Sequence, residues 1–130
     1  MMTETTVLVW SAVLLWLMLV TASALRTQGL AAGGFGRSMG NRDDLPPPTP
    51  PAGRAHRAAR NMLENLVIFT ALVAAAHLAG ETSTQVQLGA NIFFWARVAY
   101  WPTYLAGSRL RSVVWGVSVV GLAIMAAAMF

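Results

Sequence analysis

Long apolar stretches alternate with shorter polar connections along the chain, a pattern that predicts membrane-spanning helices. A helix needs about 20 mostly apolar residues to cross a bilayer. Four stretches come close to this length, and we predict helices at about 7–25, 61–79, 86–105 and 113–130. The predicted fold class is all-α: one domain, 1–130, forming an integral membrane four-helix bundle subunit.

The first apolar stretch also invites comparison with a secretory signal peptide, because Ala22-Ser23-Ala24 resembles a cleavage site. A signal peptide begins with a positively charged segment. Residues 1–6 instead contain Glu4 and no basic residue. We therefore expect a helix that is retained.

The composition agrees with a membrane protein. Only 11% of the residues are charged and the mean hydropathy is +0.56, whereas soluble domains carry about 25% charged residues. The chain has no cysteine, which excludes disulfides, thiolate zinc sites and a thiol nucleophile of its own. Its two histidines, His56 and His77, are far apart, and we expect no metal site.

Arginine is the only strongly basic residue type, and its placement predicts the orientation. Six arginines fall in the predicted loop 26–60 and two in loop 106–112, whereas the N-terminus and the connection near residue 81 have none. Because arginine-rich loops stay in the cytoplasm, we expect both of these loops to be cytoplasmic and both termini to lie outside. The early glycines of loop 26–60 and the prolines of 46–51 predict a spacer without a stiff helix, with the prolines in polyproline II conformation.

One face of the second predicted helix carries Arg57, Asn61 and Glu64, spaced i, i+4 and i+7. Arg60 lies four residues before Glu64 and can pair with it along the helix. Ionisable residues at membrane depth are costly and usually form a site or a buried pair. We interpret this face as part of a site; the alternative is a row of headgroup anchors with Glu64 merely neutralised.

The third predicted helix carries Arg97, Tyr100 and Tyr104 on one face. Glu64 is the only acid of the second helix, so we predict a Glu64–Arg97 ion pair that pins the two helices and fixes the wall of a site. The tyrosines are equally typical of interfacial aromatic residues. Pro102 is expected to kink this helix or end it early.

Arg109, Arg111 and Ser112 precede the last helix, where they are either cytoplasmic anchors or a site for an anion or thiolate at a helix N-terminus. The polar residues of the second helix, of the third helix and of the start of the fourth helix all fall at the cytoplasmic end of the predicted bundle. Guanidinium groups bind carboxylates bidentately, so we expect a small carboxylate-bearing ligand from the cytosol and an apolar co-substrate from the lipid. The arginines are too thinly spread for nucleic acid, which requires a continuous basic groove.

These motifs resemble the MAPEG family, the membrane-associated proteins in eicosanoid and glutathione metabolism, over most of the chain. The Arg-x-x-x-Asn-x-x-Glu pattern is met by Arg57, Asn61 and Glu64. The third-helix pattern is met by Arg97, Tyr100 and Tyr104, and the start of the fourth helix by Arg111-Ser112. Asn65 departs from the family, since many members have an aromatic residue there.

The resemblance implies a homotrimer that binds glutathione between adjacent subunits near the cytoplasmic face. It implies catalytic roles for Arg111, which would stabilise the glutathione thiolate, and for Ser112 beside it. The implied glutathione-binding residues are Arg57, Asn61, Glu64, Arg97, Tyr100 and Tyr104. Because the length of the preceding loop varies in the family, Arg109 is an alternative to Arg111. Arg37 and Arg42 are further candidate ligands, but the resemblance does not align them with a family position. The compact chain resembles bacterial members, which implies the bacterial inner membrane.

The function expected from this resemblance is a glutathione-dependent transferase or peroxidase that acts on lipophilic electrophiles or hydroperoxides. Its partners would be further copies of itself, glutathione, a lipophilic small molecule and membrane lipids. One alternative is a non-catalytic MAPEG-like ligand-binding protein, which could lack Arg111. Another is a small multidrug exporter, whose essential glutamate belongs in the first helix, where the predicted helix 7–25 has no acid.

Overall fold

The computed structural model describes residues 1–28, 30 and 33–130. Within these described residues there are five helices: α1 (Glu4–Gln28), α2 (Gly34–Met39), α3 (Pro50–Ala79), α4 (Thr84–Leu105) and α5 (Leu110–Ala127). The described residues contain no strand, so the all-α prediction is confirmed for them. The four long helices correspond in order to the four that the sequence predicts.

Three of the helices, α1, α3 and α5, are long and apolar enough to cross a membrane. Their outward surfaces carry large apolar side chains such as Trp16, Val67 and Val120, which are exposed in the single chain. These features fit an integral membrane protein. Helix α4 does not meet the same criterion, because it carries a buried arginine and several amides among its 22 residues.

Helix α3 begins at Pro50 rather than near residue 61, so the prediction of a continuous loop over 26–60 is wrong. Pro50 and Pro51 occupy the first turn of α3, where a missing N–H costs nothing and the fixed φ favours the helix. Polyproline II conformation is therefore wrong for these two prolines. With 30 residues, α3 is about 45 Å long, so its first turns extend beyond a bilayer core of about 30 Å.

Three further features differ from the prediction. The short helix α2 lies in the segment for which a spacer was expected, and it begins after Gly33, whose φ of 78° is left-handed. Helix α1 begins at Glu4, so it does contain an acid, in its first turn and 4% exposed. Helix α4 continues through Pro102 to Leu105, so this proline does not end it early.

Long helices that follow one another in the chain pack antiparallel, whereas α1 and α4 run parallel, and hydrogen bonds join the helices near both ends. Helix α1 packs against α3 and α4, whereas α5 packs mainly against α4. At one end, Arg54 Nε donates to the carbonyl of Leu105 at 2.9 Å. At the other end, Asn91 Nδ2 donates to the carbonyl of Met2 at 2.7 Å. The start of α3 and the end of α4 are thereby brought to the same end of the structure as the start of α5.

Helices α4 and α5 cross at a pair of glycines. A Cβ atom on Gly89 would lie 2.6 Å from the carbonyl oxygen of Gly121, and one on Gly121 would lie 2.7 Å from that of Gly89. Because each backbone occupies the space that a side chain would need, only glycine permits this separation. The crossing fixes α5, and with it the residues of its first turn, against α4.

Candidate functional site

A cleft of about 370 Å³ lies between α3, α4 and α5. It is lined by Asn61, Tyr100, Arg111, Ser112 and Trp115. Four of these five are site residues predicted from the sequence, and they come from three helices. The cleft lies at the end of the structure where α5 begins, since Arg111 and Ser112 belong to the first turn of α5.

A chain of contacts through Tyr104 connects Arg57 with the cleft. Arg57 Nε donates to the hydroxyl of Tyr104 at 3.3 Å. The guanidinium carbon of Arg111 lies 4.8 Å from the ring centroid of Tyr104, a distance at which the cation is attracted to the ring. The ring of Tyr104 also meets that of Tyr100 edge to face, with 5.4 Å between their centroids. One tyrosine thus contacts arginines from α3 and α5.

Arg97 lies behind the cleft rather than in its lining. Its side chain is 1% exposed, and its guanidinium carbon lies 5.1 Å from the ring centroid of Tyr100. Its Nη1 donates to Asn61 Oδ1 at 2.7 Å. Within the described residues, its Nε and Nη2 have no hydrogen-bond partner. A guanidinium has donors only, so Asn61 must turn its oxygen towards Arg97, which leaves the amide NH₂ for the cleft.

The predicted Glu64–Arg97 ion pair is wrong. Glu64 is 59% exposed and accepts a hydrogen bond from Arg60 Nε at 3.1 Å, so the predicted pairing along the helix is confirmed. The partner of Arg97 is Asn61, one turn earlier on α3. Although the two positions belong to one broad face, Asn61 is directed towards α4 and Glu64 towards the surface.

The lining distinguishes between the two arginines near the start of α5. Arg109 precedes α5 and is absent from the described lining, whereas Arg111 belongs to it. Trp115 was not predicted from the sequence as a residue of the lining. Trp115 follows Arg111 by about one helical turn and belongs to an apolar stretch, in which a single tryptophan does not stand out. Its spacing of four residues from Arg111 was the available signal. Among the described residues, no group of three metal-binding side chains comes together.

Comparison with known proteins identifies the family of the chain. No curated protein matches the sequence, and no solved structure matches the fold. The family model of the MAPEG family matches residues 5–130, which is nearly the whole chain. The chain therefore belongs to the MAPEG family.

Proposed function

We propose that this protein is a glutathione-dependent membrane enzyme, a transferase or peroxidase that acts on lipophilic electrophiles or hydroperoxides. The observation that carries the proposal is the cleft in which Arg111 and Ser112 of α5 face Asn61 of α3. Its volume of about 370 Å³ falls within the range of about 300–1,000 Å³ of small-molecule sites. Family membership supports the same proposal.

The side chains around the cleft fit the chemistry of glutathione, which has two carboxylates, one amino group and one thiol. Arg57, held by Tyr104, is suited to a carboxylate. The NH₂ of Asn61 is a second donor for the same kind of group. The carboxylate of Glu64, exposed one turn further along α3, is suited to the amino group.

Arg111 is the residue we assign to stabilising the thiolate. Glutathione, when bound, would supply the thiol nucleophile, which fits a chain without cysteine. A thiol with a pKa near 8.5 is mostly protonated at neutral pH, and each unit of depression requires about 1.4 kcal/mol of preference for the thiolate. A guanidinium in the first turn of a helix supplies such a preference through its charge and the helix dipole. Ser112 offers a hydroxyl donor on the same turn.

A homotrimer would complete the site. Arg57, Glu64, Arg111 and Ser112 are exposed in the single chain, so the cleft is open on one side. Leu63 and Val67, exposed beside Glu64 on α3, provide an apolar surface against which a second subunit would pack. In the proposed arrangement α4 crosses the membrane with α1, α3 and α5, shielded by its neighbours, and the site faces the cytoplasm of a bacterial inner membrane.

The proposal is tested with detergent-purified protein by titration calorimetry with glutathione and by turnover of an aryl halide electrophile and a lipid hydroperoxide. We expect saturable binding and turnover of at least one of the two substrates. Binding without turnover would instead support the non-catalytic ligand-binding alternative. Absence of glutathione binding to folded protein would contradict both functions.

A further inference from the structure

A second cavity, of about 440 Å³, lies between the end of α1, the short helix α2 and the start of α3. Its basic side chains are Arg26, Arg42, His56 and Arg57, and its apolar lining includes Leu19 and Leu45. It shares no lining residue with the cleft that holds Arg111, and only Arg57, which contacts Tyr104 beside that cleft, adjoins both among the described lining residues. We infer that this cavity binds the phosphate group of an anionic membrane phospholipid.

The described side chains that line the cavity include several bases. Its basic side chains come from α1, α3 and the segment between α2 and α3, and no acidic residue is among the described residues that line it. Asp43 and Asp44 follow Arg42 in the sequence, but neither forms an ion pair within the described part of the chain. The cavity therefore presents a net positive charge that an anion would neutralise.

Two of the arginines are held in place by the backbone around them. Arg26 Nη2 donates to the carbonyl of Pro46, and Arg42 Nε donates to the carbonyl of Ser38 at 3.0 Å. Each bond uses one of the five N–H groups of a guanidinium. Held side chains lose less conformational entropy when they bind a ligand, so both arginines are prepared to bind a phosphate.

The distribution of apolar residues indicates a lipid rather than a soluble phosphate. Leu19 and Ala22 line the cavity one to two turns before Arg26 on α1, and Trp16 and Val20 are exposed on the same membrane-length helix. Along α1, the cavity thus passes from apolar to basic at the end of the helix. A phospholipid has the same order, from acyl chain to phosphate, and basic clusters beside membrane helices attract anionic headgroups.

The experiment measures retention of lipid by detergent-purified protein, using native mass spectrometry with phosphatidylglycerol and phosphatidylcholine of identical acyl chains. We expect the wild type to retain phosphatidylglycerol preferentially. Arg26→Gln and Arg42→Gln should each weaken this retention several-fold, and the double variant at least tenfold. The matched control is Arg37→Gln, which removes the same charge from an exposed position on α2 outside the described lining; its retention should equal that of the wild type.

Four outcomes would overturn the inference. An equal loss in Arg37→Gln would mean that retention reflects diffuse surface charge, and equal retention of both lipids would mean that the anionic headgroup is not recognised. Displacement of the lipid by millimolar glycerol 3-phosphate would assign the cavity to a soluble phosphate ester, and displacement by glutathione would assign it to the glutathione site. Circular dichroism identifies any variant that fails to fold, and Arg42→Gln alters an exposed segment outside the long helices.

Discussion

At the scale of single residues, Asn61 connects the buried interior with the cleft. Its Oδ1 accepts from buried Arg97, its backbone carbonyl accepts from Asn65 Nδ2 at 2.9 Å, and its side chain lines the cleft. A buried guanidinium is costly unless it is paired. The amide of Asn61 therefore both stabilises Arg97 and is oriented by it.

We predict that Asn61 and Arg97 are energetically coupled. Asn61→Leu leaves a buried charged donor without its acceptor, which should cost roughly 1.5–3 kcal/mol of the free energy of unfolding. Because Arg97→Leu removes the same hydrogen bond, the double variant should lose less than the sum of the two. Thermal unfolding in detergent measures all three.

Glu64→Gln is the control for this cycle. Glu64 pairs with Arg60 on the surface, and exposed helix pairs contribute about 0.3–0.5 kcal/mol. Its effect should therefore be small and should add to that of Arg97→Leu. Coupling of Arg97 with Glu64, and none with Asn61, would contradict the geometry described above.

A second prediction separates ligand binding from chemistry at Arg57. Its suggested partner is a carboxylate that is already present in the ground state, so Arg57→Ala should raise the Kd for glutathione while turnover at saturation is largely kept. Tyr104→Phe removes the hydroxyl that accepts from Arg57 but keeps the ring against Arg111. It should shift affinity in the same direction by a smaller factor, measured by calorimetry. Unchanged affinity in Arg57→Ala would remove this residue from the binding site.

Helical spacing predicted which residues share a face, but it could not predict which of them reaches the next helix. Charge complementarity favoured Glu64 as the partner of Arg97. The structure uses Asn61 instead, because direction around the helix and side-chain length decide the contact. Trp115 was missed for a related reason: an apolar stretch does not reveal which of its members lines a cavity.

At the scale of helices, the crossing of α4 and α5 determines where the first turn of α5 lies. Gly121→Ala would place a Cβ 2.7 Å from backbone atoms of α4, and backbone cannot move aside as a flexible side chain can. Overpacking of this kind costs about 1–3 kcal/mol. We therefore expect a clearly lower Tm in detergent for this variant.

Gly116→Ala is the matched control on the same helix. A Cβ at this position meets no heavy atom of the described residues within 4 Å, and alanine favours a helix over glycine by up to about 1 kcal/mol. The variant should have an unchanged or higher Tm. Equal destabilisation by both changes would show that the close crossing does not limit stability.

The sequence does contain signals for the start of α3, but the prediction relied on hydropathy instead. Proline at the first helical positions and the alanines and arginines that follow are typical of a helix start. The apolar stretch used to place the helix instead identifies the part suited to a membrane. Hydropathy identifies the residues suited to the bilayer and does not mark where a helix begins. It therefore underestimates the length of a helix that continues beyond the bilayer.

At the scale of the whole molecule, the distribution of arginine predicts that the cleft faces the cytoplasm. Because the chain has no cysteine, single cysteines report the side directly. Thr49→Cys and Ala106→Cys should react with membrane-impermeant maleimide only after cells are opened, and Thr82→Cys should react in intact cells. Residue 82 lies between α3 and α4 and residue 106 after α4, so opposite labelling also tests whether α4 crosses. Labelling of Thr49→Cys in intact cells would overturn the orientation.

The helix order and the gathering of polar groups at one end follow from the pattern of one chain, and both could be predicted. A trimer could not be predicted in this way, because its contacts are made between copies of the chain. An apolar helix face that contacts another copy has the same sequence pattern as a face that contacts lipid. The exposed apolar faces of α1, α3 and α5 are suited to contact with lipid as well as with another subunit. The expectation of a trimer therefore depends on family resemblance.

The most direct test of the proposed chemistry is the absorbance of the glutathione thiolate bound to Arg111→Ala, measured together with turnover. If Arg111 stabilises charge that develops after binding, the variant should bind glutathione nearly as well as the wild type, but the thiolate absorbance at neutral pH and the turnover should both collapse. Arg109→Ala, which alters a residue outside the described lining, should retain both. An Arg111→Ala protein with normal thiolate absorbance and normal turnover would contradict the account.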